Sequence, residues 1–315
     1  GIAGCAATAC AHDYECYEGS CCATCYPGWT GMNSGVETGL AGVWGTSASN
    51  VFAVGSGGTI LHYDGNAADN WEAKVSNTTQ DLIAIHGTSA TNIFAVGKGG
   101  TIVRYNGQWQ VFSSPTSNDL IDVAVWGNNR LHVMTETAVY RYDGNWVDVT
   151  PADFDSEQSR LAGLAFDGTV VLLAGAAVSE TEIRTIVFRA DGTAWIEHLA
   201  ADYGLCLVWD IAASADRMAL GFKCGALFAP IWPGAFVVEN DDSWWRGGFE
   251  LLTMSQSKVF GAHGCTDGTP PAVGMLNPDA EQPIKTELSA CMRGIWAATD
   301  CDVFAVGSGG AIVRY

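Results

Sequence analysis

A β-propeller is the fold class this sequence predicts, on three observations: a segment of roughly 40 residues recurs seven times, each copy breaks into alternating apolar strings bounded by Gly-Gly, Asp-Gly or Asn-Gly, and the last copy stops in mid-repeat. Four short strands and their turns fill a repeat of that length, which is one propeller blade. No helical period competes. Of the 315 residues, 48% are hydrophobic and 16% charged, which supplies a core and excludes a chain kept disordered by its charge.

The copies follow one another along the whole chain. Val43-Trp44-Gly45 leads into Asn50-Val51-Phe52-Ala53-Val54-Gly55-Ser56-Gly57-Gly58-Thr59-Ile60-Leu61-His62-Tyr63-Asp64-Gly65, followed by Trp71. The second copy runs from Ile85-His86-Gly87 through Ile93-Phe94-Ala95-Val96-Gly97 and Tyr105-Asn106-Gly107 to Trp109. The third keeps Val125-Trp126-Gly127 and Tyr142-Asp143-Gly144-Asn145-Trp146, and the fourth keeps Leu161-Ala162-Gly163, Asp191-Gly192 and Trp195. Val208-Trp209 opens a fifth, Leu252 with Val259-Phe260-Gly261 a sixth, and Trp296 with Val303-Phe304-Ala305-Val306-Gly307 a seventh. Positions 44, 86, 126, 165, 209, 252 and 296 are taken as equivalent.

The seventh copy ends at Tyr315, where the others turn into a Trp-led fourth strand. Trp29 stands as far before Trp44 as Trp71 stands before His86, so residues 29–36 are expected to supply that strand and close the ring. The reading is a seven-bladed propeller over 29–315, preceded by a cysteine-rich segment over 1–28.

The repeat resembles that of bacterial propellers grouped with BNR-like and photosystem-II-assembly-factor-like repeats, in which a Trp-Gly strand, a Phe-Ala-Val-Gly strand and a Gly-Thr-Ile-x-x-Tyr-Asp-Gly hairpin recur. The likeness is sharp in copies 1, 2 and 7. The complete Asp-box of sialidases is absent, and Trp209-Asp210 falls on the wrong strand for a WD-type repeat. The resemblance implies a binding scaffold and carries over no catalytic residue. Cys25-Tyr26-Pro27-Gly28-Trp29-Thr30-Gly31 also resembles the end of an EGF-like module, but lacks the Cys expected next.

Fifteen Lys and Arg against 34 Asp and Glu give a net charge of −19, which repels phosphate and makes nucleic acid and anionic lipid poor partners. No apolar run is long enough for a membrane span. The chain begins at Gly1 without a charged leader, so the expectation is a mature exported chain or a fragment. Eleven cysteines, six of them in the first 25 residues, suit an oxidising compartment. The repeat places Cys206 and Cys224 on one face of the ring, as it does Cys265 and Cys291. It places Cys301 on the other face, within reach of Cys25, Cys21 or Cys22. The expected bonds are Cys206–Cys224, Cys265–Cys291 and a clasp from Cys301 to the N-terminal cluster. The metal alternative, Cys22-x-x-Cys25 with His12, lacks a second matching pair.

Most histidines read as scaffold. His62 stands where other copies carry Arg104, Arg141 and Arg314, His86 replaces a repeat Trp, and His132 and His198 fall in predicted strands. The recurring tryptophans read as packing between blades rather than as a sugar-stacking surface. Loops that depart from the repeat are the better candidates: Gly225 to Gly234 in copy 5, Gly264 to Pro271 in copy 6, and Ala176 to Thr181 in copy 4. Phe228, Ile231, Trp232 and His263 are the candidate binding residues, since aromatic anchors on rigid scaffolds dominate interface energies. No cofactor is expected. Calcium is the ion weighed, at Asp153-Phe154-Asp155-Ser156-Glu157 or Asp241-Asp242, neither of which has the calcium-loop pattern.

The functional reading is a non-catalytic protein-interaction or structural module of an extracellular or cell-surface assembly, with a protein partner or self-assembly through the N-terminal segment and the loops of copies 4–6. The alternatives are a lectin-like propeller or a polysaccharide hydrolase or lyase. Asn77-Thr78-Thr79 is a glycosylation sequon, expected bare in a bacterial product. Intact-peptide mass spectrometry checks this: the peptide holding Asn77 should carry its unmodified mass, and an added hexosamine would overturn the expectation.

Overall fold

The computed structural model describes residues 14–17, 20–23, 28–65, 70–152, 154, 159–178, 183–191, 194–202, 208–214, 217–222, 225–230, 251–255, 259–263, 271–276 and 284–315. Seven antiparallel sheets follow in chain order, with strands lettered a to d outward from the centre. Sheet 1 is Leu40–Ser47, Asn50–Gly55, Ile60–Tyr63 and Glu72–Lys74. Sheet 2 is Leu82–Ser89, Asn92–Gly97, Ile102–Tyr105 and Trp109–Val111. Sheet 3 is Asp122–Gly127, Arg130–Met134, Val139–Asp143 and Trp146–Asp148. Sheet 4 is Ser159–Phe166, Val171–Val178, Ile183–Asp191 and Ala194–Asp202. Sheet 5 is Val208–Ser214, Arg217–Phe222 and Gly225–Pro230. Sheet 6 is Leu251–Met254, Val259–His263, Ala272–Leu276 and Ile284–Glu287. Sheet 7 is Met292–Thr299, Asp302–Gly307 and Ile312–Arg314, with Thr30–Met32 as its d strand.

Each a strand packs on the a strands of the neighbouring sheets, and sheet 7 returns to sheet 1. This is a β-propeller. Among the described residues six blades have four strands and sheet 5 has three, so the expected count of seven four-stranded blades is corrected to six. Residues 231–250, between the last strand of sheet 5 and the first of sheet 6, lie outside the described residues.

Closure follows the predicted route. Thr30 pairs with Arg314, Gly31 with Val313 and Met32 with Ile312, so the two ends of the chain share one sheet. That pairing covers an edge that would otherwise be left open. On the face where a strands begin, Ser56–Gly58, Lys98–Gly100 and Ser308–Gly310 make the same turn. Its last glycine has positive φ, and in sheet 7 a Cβ on Gly310 would stand 2.0 Å from the Val36 carbonyl oxygen. Only glycine lets the chain pass there.

An aromatic wedge repeats between blades. Trp71 on strand d stacks on Tyr63 of strand c at 5.5 Å, and both meet Phe304 from strand b of sheet 7, at 6.2 and 6.0 Å. Tyr105 and Trp109 meet Phe52 of sheet 1 at 5.4 and 5.9 Å. At the closure, Trp29 meets Tyr315 at 5.5 Å, and Tyr315 meets Phe260 of sheet 6 at 5.9 Å. In sheet 3 the contact runs from Tyr142 through Phe112 to Phe94. The outer tryptophans are packing residues.

Strand pairing corrects the inner equivalences. Phe52, Phe94, His132, Phe260 and Phe304 lie opposite Trp44, His86, Ala124, Thr253 and Trp296. In sheet 5, Ala212 faces Ala219 at the same place. Trp126, Trp209 and Leu252 are therefore not equivalent to Trp44. Trp126 falls at a bulge and carries Arg130 over its ring at 5.2 Å, while Trp209 occupies the bulge that opens sheet 5. A tryptophan suits both a bulge and a flat inner position, so the residue type alone does not fix the register.

Two loop expectations also change. Gly225 pairs with Phe222 and Phe228 with Ala219, so 225–230 is a strand rather than an inserted loop. Val178 pairs with Ile183, so the addition in copy 4 lengthens a hairpin. Alternating apolar residues beside an unfilled edge satisfy their backbone groups by pairing.

His132 fills the strand b position held by phenylalanine in four other sheets. It is buried between Trp126 and Trp195, at 6.0 and 5.4 Å, and its Nδ1 has no partner among the described residues. Leaving such a polar atom unmet costs about 1–3 kcal/mol. His132→Phe should therefore raise unfolding stability by about 1–2 kcal/mol, as measured by denaturant titration at pH 7. An unchanged or lowered midpoint would refute this reading.

Candidate functional site

The a strands of all seven sheets line a central cavity of about 360 Å³. At the end where these strands begin, its wall carries Asp122, Asp210, Trp209 and Arg293, with Trp44, His86 and Trp296 further along the strands. The side chains here act largely on the next blade. Asp122 accepts the Val123 amide at 2.7 Å and, across the blade boundary, the Leu164 amide at 2.7 Å. Asp210 repeats the arrangement with Ile211 at 2.8 Å and Leu252 at 2.7 Å. His86 Nδ1 accepts the Val125 amide at 3.0 Å, and Thr253 Oγ1 accepts the Ala297 amide at 3.2 Å.

Where a tryptophan occupies the inner position it packs instead. A Cβ on Gly87 would stand 2.7 Å from the Trp44 ring, and one on Gly45 would stand 2.9 Å from that of Trp296. Asp122 and Asp210 stand at the position that is Gly42, Gly163 and Gly294 in sheets 1, 4 and 7. There the next strand comes close, and a Cβ on Gly294 would lie 2.6 Å from the Ala41 carbonyl oxygen.

Desolvation governs these groups. It raises the Asp122 carboxyl to about 6 against the lowering effect of its two amide donors. It raises Asp210 to about 7, where repulsion from Asp122 adds to the shift. Burial lowers His86 to about 4, which keeps Nδ1 available as an acceptor at neutral pH. Burial also lowers His132 to about 3, helped by the Arg141 charge. His62 is lowered by burial and then by Lys74, stacks on Phe52 at 4.3 Å and contacts Asn50 Oδ1 at 2.7 Å, as a scaffold residue does.

Of the residues singled out from sequence, Phe228 lies on strand c of sheet 5 and His263 ends strand b of sheet 6, with both side chains outside the described set. Ile231, Trp232, Cys25, Cys206, Cys224 and Cys265 lie outside the described residues, as do Asp153, Asp155 and Glu157. Cys291 and Cys301 are both disulfide-bonded. They flank the eight-residue strand Met292–Thr299, which separates their Cα atoms by far more than the ~7 Å a disulfide spans, so they belong to two different bonds. Their pairings with Cys265 and Cys25 are not defined by the described residues. Among the described residues no cluster of metal-ligating side chains occurs, and no helix is long and apolar enough to cross a membrane.

Sequence reasoning passed over Asp122, Asp210 and Arg293. The available signal was an acid within an apolar inner strand, as in Ile121-Asp122-Val123-Ala124 and Trp209-Asp210-Ile211-Ala212, at a position that is glycine in sheets 1, 4 and 7.

No protein-family model matches the chain, and no curated protein does. Solved structures do match in fold. YCF48 bound to D1 peptide is 14% identical with a TM-score of 0.68, covering 91% of this chain and 96% of that one. YCF48 from Cyanidioschyzon merolae is 14% identical with a TM-score of 0.66, covering 91% and 98%. A streptogramin B lyase is 12% identical with a TM-score of 0.70, covering 91% and 97%. At such identities the likeness is one of fold, and the fold is that of a β-propeller.

The buried acids and histidines act on stability with opposite signs. Asp122 and Asp210, raised by the fold, stabilise it in acid and lose that contribution as pH rises from about 4 to about 7. His86 and His132, lowered by the fold, stabilise it above about 6.5 and lose that contribution as pH falls toward 4 and 3. The two pairs offset near pH 5. Wild-type stability should therefore vary little between pH 4.5 and 6. Asp122→Asn with Asp210→Asn should make it fall toward acid, by up to about 1.4 kcal/mol per pH unit for each histidine left unbalanced. His132→Phe should tilt it the other way. Parallel slopes for all three proteins, from denaturant titrations at each pH, would contradict the assignment.

Proposed function

We propose that this chain is an exported, non-catalytic interaction propeller that receives a polypeptide partner on the face where its a strands begin. The observation that carries the reading is the convergence of Trp209, Arg293, Asp122 and Asp210 at the mouth of the central cavity. An aromatic face and a cation, on a wall held by two carboxyls, can meet an apolar side chain and a carbonyl or carboxylate in one short segment. The two acids already hold backbone amides of the next blade, which suits a rigid wall better than proton transfer. The propeller YCF48, similar in fold, has been solved bound to a peptide.

In this proposal Phe228, Ile231, Trp232 and His263 are further binding residues, and the clasp from Cys301 to the N-terminal cluster reinforces the closure. The eleven cysteines support an extracellular or cell-surface setting, and the N-terminal segment joins the propeller to its assembly.

Peptide-display selection against the intact chain tests the reading. Selected peptides should lose at least about tenfold in affinity for Trp209→Ala, roughly the 1.4 kcal/mol or more expected of an aromatic anchor, while the melting temperature stays within a few degrees. Trp232→Ala should weaken the same peptides. Selection that yields only peptides indifferent to both variants, or turnover of a polysaccharide panel by the wild-type chain, would overturn the proposal.

A further inference from the structure

Ahead of the closing strand lies a hairpin that, among the described residues, pairs with none of the seven sheets: Tyr14–Tyr17 against Ser20–Ala23. Its register sets Tyr17 opposite Ser20, Cys16 opposite Cys21, Glu15 opposite Cys22 and Tyr14 opposite Ala23. Two residues connect the strands, so Tyr17 and Ser20 form the hydrogen-bonded pair that closes the turn. Antiparallel pairs alternate, which makes Cys16 and Cys21 a non-hydrogen-bonded pair with Cα atoms about 4.5 Å apart. A disulfide spans Cα separations of roughly 4.4–6.8 Å.

From this juxtaposition we propose that Cys16 and Cys21 form a cross-strand disulfide that staples the N-terminal hairpin. The register selects Cys21 over its neighbour. Successive residues of a strand belong to opposite faces, so Cys22 shares a face with Glu15 and not with Cys16. Two strands of four residues that, among the described residues, pair with no further strand are marginal in water, which gives a covalent link something to hold. The bond forms by exchange with a protein disulfide of the exporting compartment. One cysteine thiolate attacks a carrier sulfur to give a mixed disulfide, and the second displaces the carrier thiolate. Both cysteine protons end on the reduced carrier, which takes up the two electrons.

The inference rests on the exported reading, and one experiment separates the two. The full chain, secreted through an oxidising compartment, is alkylated without reduction and cut after Glu. Cleavage at Glu15, Glu18 and Glu37 leaves Cys16–Glu18 apart from residues 19–37, which hold Cys21, Cys22 and Cys25. The expected product holds Cys16–Glu18 on residues 19–37 through one disulfide, whatever else residues 19–37 carry, and that link is retained in Cys22→Ser and in Cys25→Ser and lost in Cys21→Ser. Recovery of Cys16 in alkylated form, or a link that survives Cys21→Ser, overturns the pairing while other cysteines remain bonded. Alkylation of all eleven cysteines would instead overturn the exported reading itself. Far-UV circular dichroism confirms that each variant keeps the propeller.

Discussion

The ring depends on an aromatic wedge set between neighbouring blades. In sheets 1 and 2 and at the closure, a strand c tyrosine and a strand d tryptophan pack together against a strand b phenylalanine of the preceding sheet. Sheet geometry explains the pattern. Blades fan outward from a common axis, so the gap between neighbours widens with distance from the channel. Close to the axis glycines such as Gly42 and Gly294 let the strands approach, and rings of large area fill the wider gap further out. The wedge also orients each blade, since a tilted or edge-on ring pair tolerates less slip than an aliphatic contact.

Near the axis the task is different. Strands approach until a Cβ on Gly294 would strike the neighbouring backbone, and inner-strand amides must find acceptors away from bulk water. Asp122, Asp210, His86 and Thr253 answer this by reaching across to the next blade's amides. Burying two carboxyls in this way raises their proton affinity, and burying His86 and His132 lowers theirs. One requirement, satisfying backbone groups in a narrow channel, thereby generates the unusual electrostatics of the cavity wall and its opposed pH dependences.

Closure links these two levels. Thr30–Met32 completes sheet 7 and brings Trp29 against Tyr315, so the ends of the chain meet through the same wedge that joins consecutive blades. In the function proposed above, a face built on such a ring would have little ordering left to do on meeting a flexible segment.

The sequence by itself determined the repeat, the strand character of each copy and the route of closure, because alternating apolar strings and Gly-rich turns are local signals and the missing tryptophan strand is a matter of counting. It also determined that the outer tryptophans pack, since a fixed place in every copy implies a fixed neighbour. Only the tertiary structure decided the inner register. Trp126 and Trp209 look like Trp44 in a string of letters, yet one bulge in each strand moves them to other places, and bulges are set by pairing with strand b. The tertiary structure alone also revealed Asp122 and Asp210 as clasps, because their partners Leu164 and Leu252 lie a whole blade away. A residue's role across a ring depends on what the neighbouring repeat brings against it, and that is fixed when the blades close.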